Sequence, residues 1–415
     1  CCLDEREESF RRHLEETAPD CETFGIAGFF GVAMYYRGVA EAQYRPLCPV
    51  NQKPRIYVRE EPLRSLTGAS RFQEAFRRGL GRLAHRLHVG SRSFVGGVLT
   101  SLVGSVATLP LLTRVLTPRS TARAQRIWSR IVTPQLTQLR LERRSPDPGP
   151  ENGGLGYSVP EMAQVVDGGL RSIGLSDPAR LAPLFLVVGH GSSSLNNPQK
   201  AAYDCGACGG SQGGPNARAF ARMANDPRVR SILAREGLAI PDEVYFVGAY
   251  HNTCDDSITY FDLDDLPISH EDLFNEASAA LDEARKRNAH ERCRRFESAP
   301  LSQSFEEAVR HVEARAEDLS QTRPECGHAT NALCVVGRRT RTRGLFLDRR
   351  AFLASYDAAQ DDDRGSTLAG LLRAVFPVCG GINLEYYFSR VDPGGYGCGT
   401  KLPHNIASLL GVMDG

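Results

Sequence analysis

An apolar run, Leu184-Phe185-Leu186-Val187-Val188, breaks directly into Gly189-His190-Gly191, and Asp204-Cys205-Gly206-Ala207-Cys208-Gly209-Gly210 follows it. A continuous apolar run bounded by glycine reads as a strand buried on both faces, which commits the chain to an α/β architecture with helices covering a sheet. In such sheets ligands collect beyond the carboxyl ends of strands, where glycine lets the backbone turn sharply and approach a bound group. His190 and Cys205 sit on that backbone. They are the first two candidate zinc ligands.

A catalytic zinc takes three protein ligands and keeps one position open, so a third donor is expected from elsewhere in the chain. The segment Cys2-Leu3-Asp4-Glu5-Arg6 supplies one. If the segment is extended, period two places Cys2, Asp4 and Arg6 on one face. Asp4 and Arg6 can then pair with each other, which leaves Cys2 as the soft metal donor. Cys205 and Cys208 form a Cys-x-x-Cys pair, so Cys208 competes with Cys205 for the ligand position. His251 ends a second strand pattern, Glu243 to Ala249, where it would serve as a proton shuttle, as a donor behind the ligands, or as a satisfied strand-end histidine. Asn196, Asn197 and Asn216 are expected to fix loop backbone. Lys401 and His404 flank a Gly-rich turn that would suit an anion.

The chain has 415 residues, enough for a large core, and a net charge of +1, which gives no global argument for nucleic acid as a partner. Its 12 cysteines are not spaced like a small disulfide framework, so a reducing compartment is expected. Residues 64–86 read as a helix, with Phe72, Phe76, Leu80 and Leu83 at spacings of three and four. Ser93 to Thr113 carries no charge, but its glycines, its hydroxyl residues and Pro110 make it a weak membrane span, and a buried helical hairpin or a contact with a membrane partner is the better reading. Arginines flank it, as anionic headgroups would require. Residues 145–156 form a Pro/Gly linker, and α/β patterning resumes after it. The chain starts at the ligand segment, which reads as a piece cut from something longer.

Segments far apart in sequence together resemble one family. Cys2-Leu3-Asp4-Glu5-Arg6, Phe24-Gly25-Ile26-Ala27-Gly28, Gly189-His190-Gly191-Ser192, Cys205-Gly206-Ala207-Cys208, His251-Asn252-Thr253, Arg323-Pro324-Glu325 and Gly397-Cys398-Gly399-Thr400-Lys401 occur in the order shown by the DabA family of inorganic carbon accumulation subunits. The resemblance implies a β-carbonic-anhydrase-like fold, with a mostly parallel sheet flanked by helices and a helical insertion. Residues 1–60 and 151–415 would form the zinc core. Residues 61–150 would be the insertion, facing the membrane or a partner. The chain departs from the family pattern at Glu7-Glu8, Cys254 and Cys326-Gly327-His328.

By the same resemblance, Cys2, His190 and Cys205 hold Zn2+, Asp4 is an exchangeable fourth ligand, and Arg6 is the partner that draws Asp4 away. The family couples CO2 hydration to bicarbonate with a membrane-embedded DabB-like subunit that resembles the proton-pumping subunits of respiratory complex I. The expected location is then the cytoplasmic face of the cell inner membrane, as a peripheral protein. Two other classes compete: a structural zinc-bearing interaction subunit without turnover, and a thiol redox protein using Cys205 and Cys208.

Overall fold

In the computed structural model, which describes residues 1–63, 67–132, 136–151, 153–193, 203–318 and 331–396, the chain begins between two other segments. Cys2 bridges Ile26 in parallel, the Leu3 amide donates to the Ile26 carbonyl, and the Leu3 carbonyl accepts from Leu353. A tight helical turn at Glu5–Glu7 follows, and it runs into α1 (Glu8–Thr17).

The first sheet contains β1 (Met34–Arg37), β2 (Arg45–Leu47), β3 (Ile56–Pro62) and β4 (Thr137–Arg140) in the order β2-β1-β3-β4. Three helices leave and return at its edge: α2 (Thr67–Gly90), α3 (Phe94–Leu116) and α4 (Pro118–Val132). Pro62 pairs with Thr137 across the base of this excursion, so the helices rise from a single strand pair. After α5 (Val159–Ser172), which starts on a capping box of Ser158 and Glu161, comes β5 (Leu184–Gly191). Then follow α6 (Gly214–Asn225), α7 (Pro227–Arg235), β6 (Tyr245–Asn252) and β7 (Ser257–Tyr260). The second sheet has the order β5-β6-β7. Helices α8 (Glu271–Cys293) and α9 (Phe305–Glu317) precede a two-stranded pair, β8 (Leu333–Gly337) and β9 (Ala351–Ser355), and then come α10 (Ser366–Phe376) and α11 (Ile382–Val391).

The class is α/β, but the sheets are mixed, where a mostly parallel sheet was expected. β1 with β3, β5 with β6 and β8 with β9 run parallel; β1 with β2, β3 with β4 and β6 with β7 run antiparallel. The connections explain this. β6 and β7 are joined by a short turn in which Asp256 takes a positive φ of 55°, and a turn that short can only reverse the chain, since a parallel return needs a crossover of a dozen residues or more. The main core lies between α5, α6 and these strands, around Val32, Met34, Val58, Val166, Met223 and Phe246.

Of the two readings the sequence offered for the helical excursion, the structure departs from the buried hairpin. α3 does form a hairpin with α4, but its described large apolar side chains are not buried: Phe94 is 90% and Leu116 76% exposed, and Leu109, Leu111, Leu112 and Val115 are exposed as well. Among the described residues no helix is long and apolar enough to cross a membrane. Ion pairs from Arg119 to Glu313 (2.7 Å) and from Arg126 to Glu317 (2.9 Å) tie α4 to α9.

Candidate metal centre

Three sequence-distant segments converge at the end of β5. Along their shared length β5 and β6 pair residue for residue, so His190 stands in register with His251. The parallel register needs α6 pressed on the sheet, and Gly189 permits it: a Cβ there would lie 2.2 Å from the Gly213 carbonyl oxygen. The Gly213 amide in turn donates to the His190 carbonyl (2.8 Å), which fixes the backbone that carries the imidazole.

Cys2, His190 and Cys205 each present a ligand atom within 4.8 Å of the others, and all three are buried. Cys205 reaches the cluster from a loop, not from a strand: it precedes the tight turn Gly206–Cys208 and bridges Ser211. Gly28 closes the cradle. A Cβ at that position would lie 2.7 Å from Cys205 Sγ and 3.0 Å from Cys2 Sγ, so only glycine lets the backbone pass so close to both sulfurs. Cys208 is buried beside them; its thiol donates to the Gly28 carbonyl (3.3 Å), and it is also hydrogen-bonded with Cys205. Neither Cys205 nor Cys208 is in a disulfide.

Asp4 and Arg6 meet, though not by the extended geometry expected. Asp4 is extended and caps the turn Glu5–Glu7, and Arg6 lies inside that turn. A fork of two bonds compensates: Arg6 Nε donates to Asp4 Oδ1 (2.8 Å) and Nη2 to Oδ2 (2.9 Å), while the Arg6 amide caps Oδ1 (3.0 Å). Arg6 Nη1 donates to the Tyr203 carbonyl. Arg6 Nη2 also lies 3.2 Å and Asp4 Oδ2 3.5 Å from His190 Nε2. The guanidinium thus holds the carboxylate at the edge of the Cys-His-Cys cluster.

The donor set suits a soft or borderline divalent cation. The hydrogen bond with Cys205, together with burial, pushes the Cys2 thiol well above its ordinary range. Cys205 is raised too: its bond with Cys2 acts downward, but the bond with Cys208 and burial outweigh it. Thiols packed this closely ionise only with a cation among them. His190 Nδ1 is buried with no hydrogen-bond partner among the described residues.

His251 does not face the cluster as a free shuttle. Its Nδ1 lies 2.9 Å from Glu7 Oε1 and its Nε2 3.1 Å from Asp256 Oδ1, and its ring packs on Phe10 with centroids 4.6 Å apart. Burial lowers its pKa, but the Glu7 charge and the two carboxylate hydrogen bonds prevail and push it up to about 9. Asp256 is held well below the usual carboxylate range: burial opposes, but Arg292 (2.6 Å) and His251 prevail. Glu7 is lowered by His251 against burial. His251 is therefore an imidazolium locked between carboxylates, the satisfied strand-end histidine among the three alternatives. Glu7, Asp256 and Arg292 escaped sequence reasoning because nothing in their spacing marks them; only the buried turn after β6 brings them together.

Asn216 fixes loop backbone as expected, donating to the Val32 (2.7 Å) and Leu47 (3.1 Å) carbonyls. Asn196, Asn197, Arg323 to His328, and the turn with Lys401 and His404 lie outside the described residues.

Residues 1–415 match the family described as probable inorganic carbon transporter subunit DabA. The chain is similar to "Probable inorganic carbon transporter subunit DabA 2" of Rhodopirellula baltica, at 56% identity over 414 residues that cover 100% of this chain and 38% of that protein. It is similar to a protein of the same name in Sorangium cellulosum, at 51% identity over 416 residues, covering 100% of this chain and 40% of the other. A Parafrankia protein named as a probable DabA subunit is 47% identical over 438 residues, covering 100% of this chain and 39% of its own length. The chain thus spans about two fifths of the length of these curated relatives. No solved structure matches it.

Proposed function

The chain belongs to the DabA family of probable inorganic carbon transporter subunits, and from that premise we propose that it carries the zinc site at which an energy-coupled uptake complex hydrates CO2 to bicarbonate. One observation supports this reading above the others: two thiols and an imidazole share a sealed volume, and beside it a carboxylate is held off by an arginine. Two cysteines and a histidine leave a fourth position, as a catalytic site requires and a closed structural site does not. Bound there, zinc would act as a Lewis acid that brings the pKa of water to roughly 7.

The protein's own groups do the rest. Cys2, His190 and Cys205 hold the ion, and Gly28 keeps the two sulfurs at the right spacing. Arg6, by gripping both Asp4 oxygens, would keep that carboxylate from the fourth position while leaving lone pairs on Oδ2 to accept a hydrogen bond from water. Released from Arg6, Asp4, whose Oδ2 lies 3.5 Å from His190 Nε2, would be free to take the fourth position and close the site. A β-carbonic-anhydrase-like core over 1–60 and 151–415 and a partner-facing insertion over 61–150 complete the proposal. The relatives are named as subunits, and the exposed apolar face of α3 suits a membrane-embedded DabB-like partner, which would place the protein peripherally on the cytoplasmic face of the inner membrane. The test is isotope exchange between CO2 and water by the full-length protein assembled with its membrane partner. Cys205→Ser should abolish both zinc and exchange; Arg6→Ala should keep zinc and lose exchange. Undiminished exchange in Cys205→Ser overturns the proposal.

A further inference from the structure

The centre is closed to solvent. Cys2, Asp4, Arg6, His190 and Cys205 are at most 4% exposed. A small substrate therefore needs a route, and one lies on the far side of the Cys2 segment. A mainly apolar groove of about 840 Å³ runs between that segment and helices α5 and α10, walled by Leu3, Ala27, Phe29, Val165, Gly168 and Leu371. Phe29 belongs to both spaces: it lines the groove and packs on the cluster of Cys2, Cys205 and Cys208. Its neighbour Gly28 presents no side chain between groove and sulfurs. Phe29 is half-buried, and among the described residues it is the side chain that both lines the groove and packs on the sulfur cluster.

We propose that this groove is the route by which CO2 reaches the site, with Phe29 as its gate; the inference rests on the reading that the site hydrates CO2. CO2 is small, uncharged and without a dipole, so an apolar lining admits it at little cost. Bicarbonate and hydrated cations would have to shed water to follow. Rotation of one aromatic side chain is enough to join the spaces, without moving the backbone that holds Cys2 in place between 24–28 and β9.

Two glycines make the route testable away from the metal. Gly168 on α5 and Gly370 on α10 both line the groove, and a Cβ at either meets nothing within 4 Å. Leucine at either position meets no steric obstacle, so Gly168→Leu and Gly370→Leu should narrow the groove and leave zinc content unchanged. In the full-length protein assembled with its partner, each should lower kcat/KM for CO2, and the double variant on the order of tenfold, as expected when access needs an added rearrangement. Phe29→Ala should restore much of the loss in either single variant. Xenon, an apolar probe independent of zinc and of turnover, should bind the wild-type protein under pressure with a distinct 129Xe NMR shift that both leucine variants abolish. If wild type exchanges CO2 and the leucine variants match it, the groove is not the route. If the variants instead block assembly while the assembled fraction keeps full activity, the groove is a seat for protein and the proposal falls. A wild-type complex with zinc but no exchange overturns the reading of the site itself, and xenon binding would then describe a cavity without this role.

Discussion

Two regions of this molecule break the ordinary partition of polar and apolar residues in opposite directions. Around the end of β5, charged groups are taken out of water: Asp4, Arg6, Glu7, His251, Asp256 and Arg292 are all buried. In the helices between β3 and β4 the reverse holds. Phe72, Phe94, Leu112, Leu116 and Trp128 face solvent, and Glu74 is the only acid among residues 67–132, against many arginines. Burying charge is costly unless each group is matched by an opposite partner, which the forked and bridged contacts of the first region supply. Exposing contiguous apolar surface calls for an external partner, and nothing in the chain's own described residues covers it. On the proposed function, the first region would serve chemistry inside the fold and the second recognition outside it.

The comparison breaks most readily at the centre. Cys205→Ser should remove the metal, while Cys208→Ser, whose thiol is engaged with Gly28, should keep most of it; metal analysis of the purified full-length variants decides. Equal losses would mean that the two thiols share the ligand role. Next in size is Gly28→Ala. The added methyl overlaps both sulfurs, so zinc should fall sharply and stability by about 1–3 kcal/mol, the usual scale of overpacking.

The buried charges make a pH-dependent prediction. His251 has its pKa raised to about 9 in the fold from 6.5, so the stability it contributes is complete below pH 6.5 and is lost as pH rises through 9. Asp256 and Glu7 are lowered, so their contribution is complete above their unfolded values and is lost on acidification. Melting temperature should thus be highest in mildly acidic to neutral solution and decline on both sides. His251→Gln should cost about 3 kcal/mol near pH 6, since two buried carboxylates lose their shared cation, and should flatten the alkaline limb. An unchanged limb would show that another group titrates there.

The smallest effect on the fold is expected from the exposed helices. Leu112→Asp with Val115→Asp should change stability by less than about 0.5 kcal/mol and leave zinc intact, because both side chains already face solvent. Capture by the membrane partner should nevertheless be lost. Unfolding of the isolated protein would instead make this face ordinary core and erase the contrast between the regions.

How much of this was legible depends on the range of the signal. β5, β6 and α2 follow from local periodicity, and the structure places them close to where the sequence does. His190 and Cys205 were legible as candidates because glycine after a strand marks where backbone can approach a ligand, and Cys2 because its segment alternates Cys, Asp and Arg; the structure brings the three side chains together. The pairing of Asp4 with Arg6 was anticipated for an incomplete reason, since the segment turns helical after Asp4 and the fork forms around the cap. The antiparallel strands were missed because sheet direction is set by loop length in space. The stretch of α3 was read as a buried hairpin or a contact with a membrane partner, because apolar content alone does not say what covers it; its described large apolar side chains are exposed, which rules out the first alternative. Phe29 and Gly28 showed only as apolar and small residues; their place against the sulfurs comes from tertiary approach.

X-ray absorption at the zinc edge of the full-length protein, assembled with its partner, tests the central claim most directly. The account predicts two sulfur and one imidazole nitrogen neighbour with one further oxygen donor, and in Cys205→Ser the loss of bound zinc. Three sulfur neighbours, or a shell without imidazole, would contradict it.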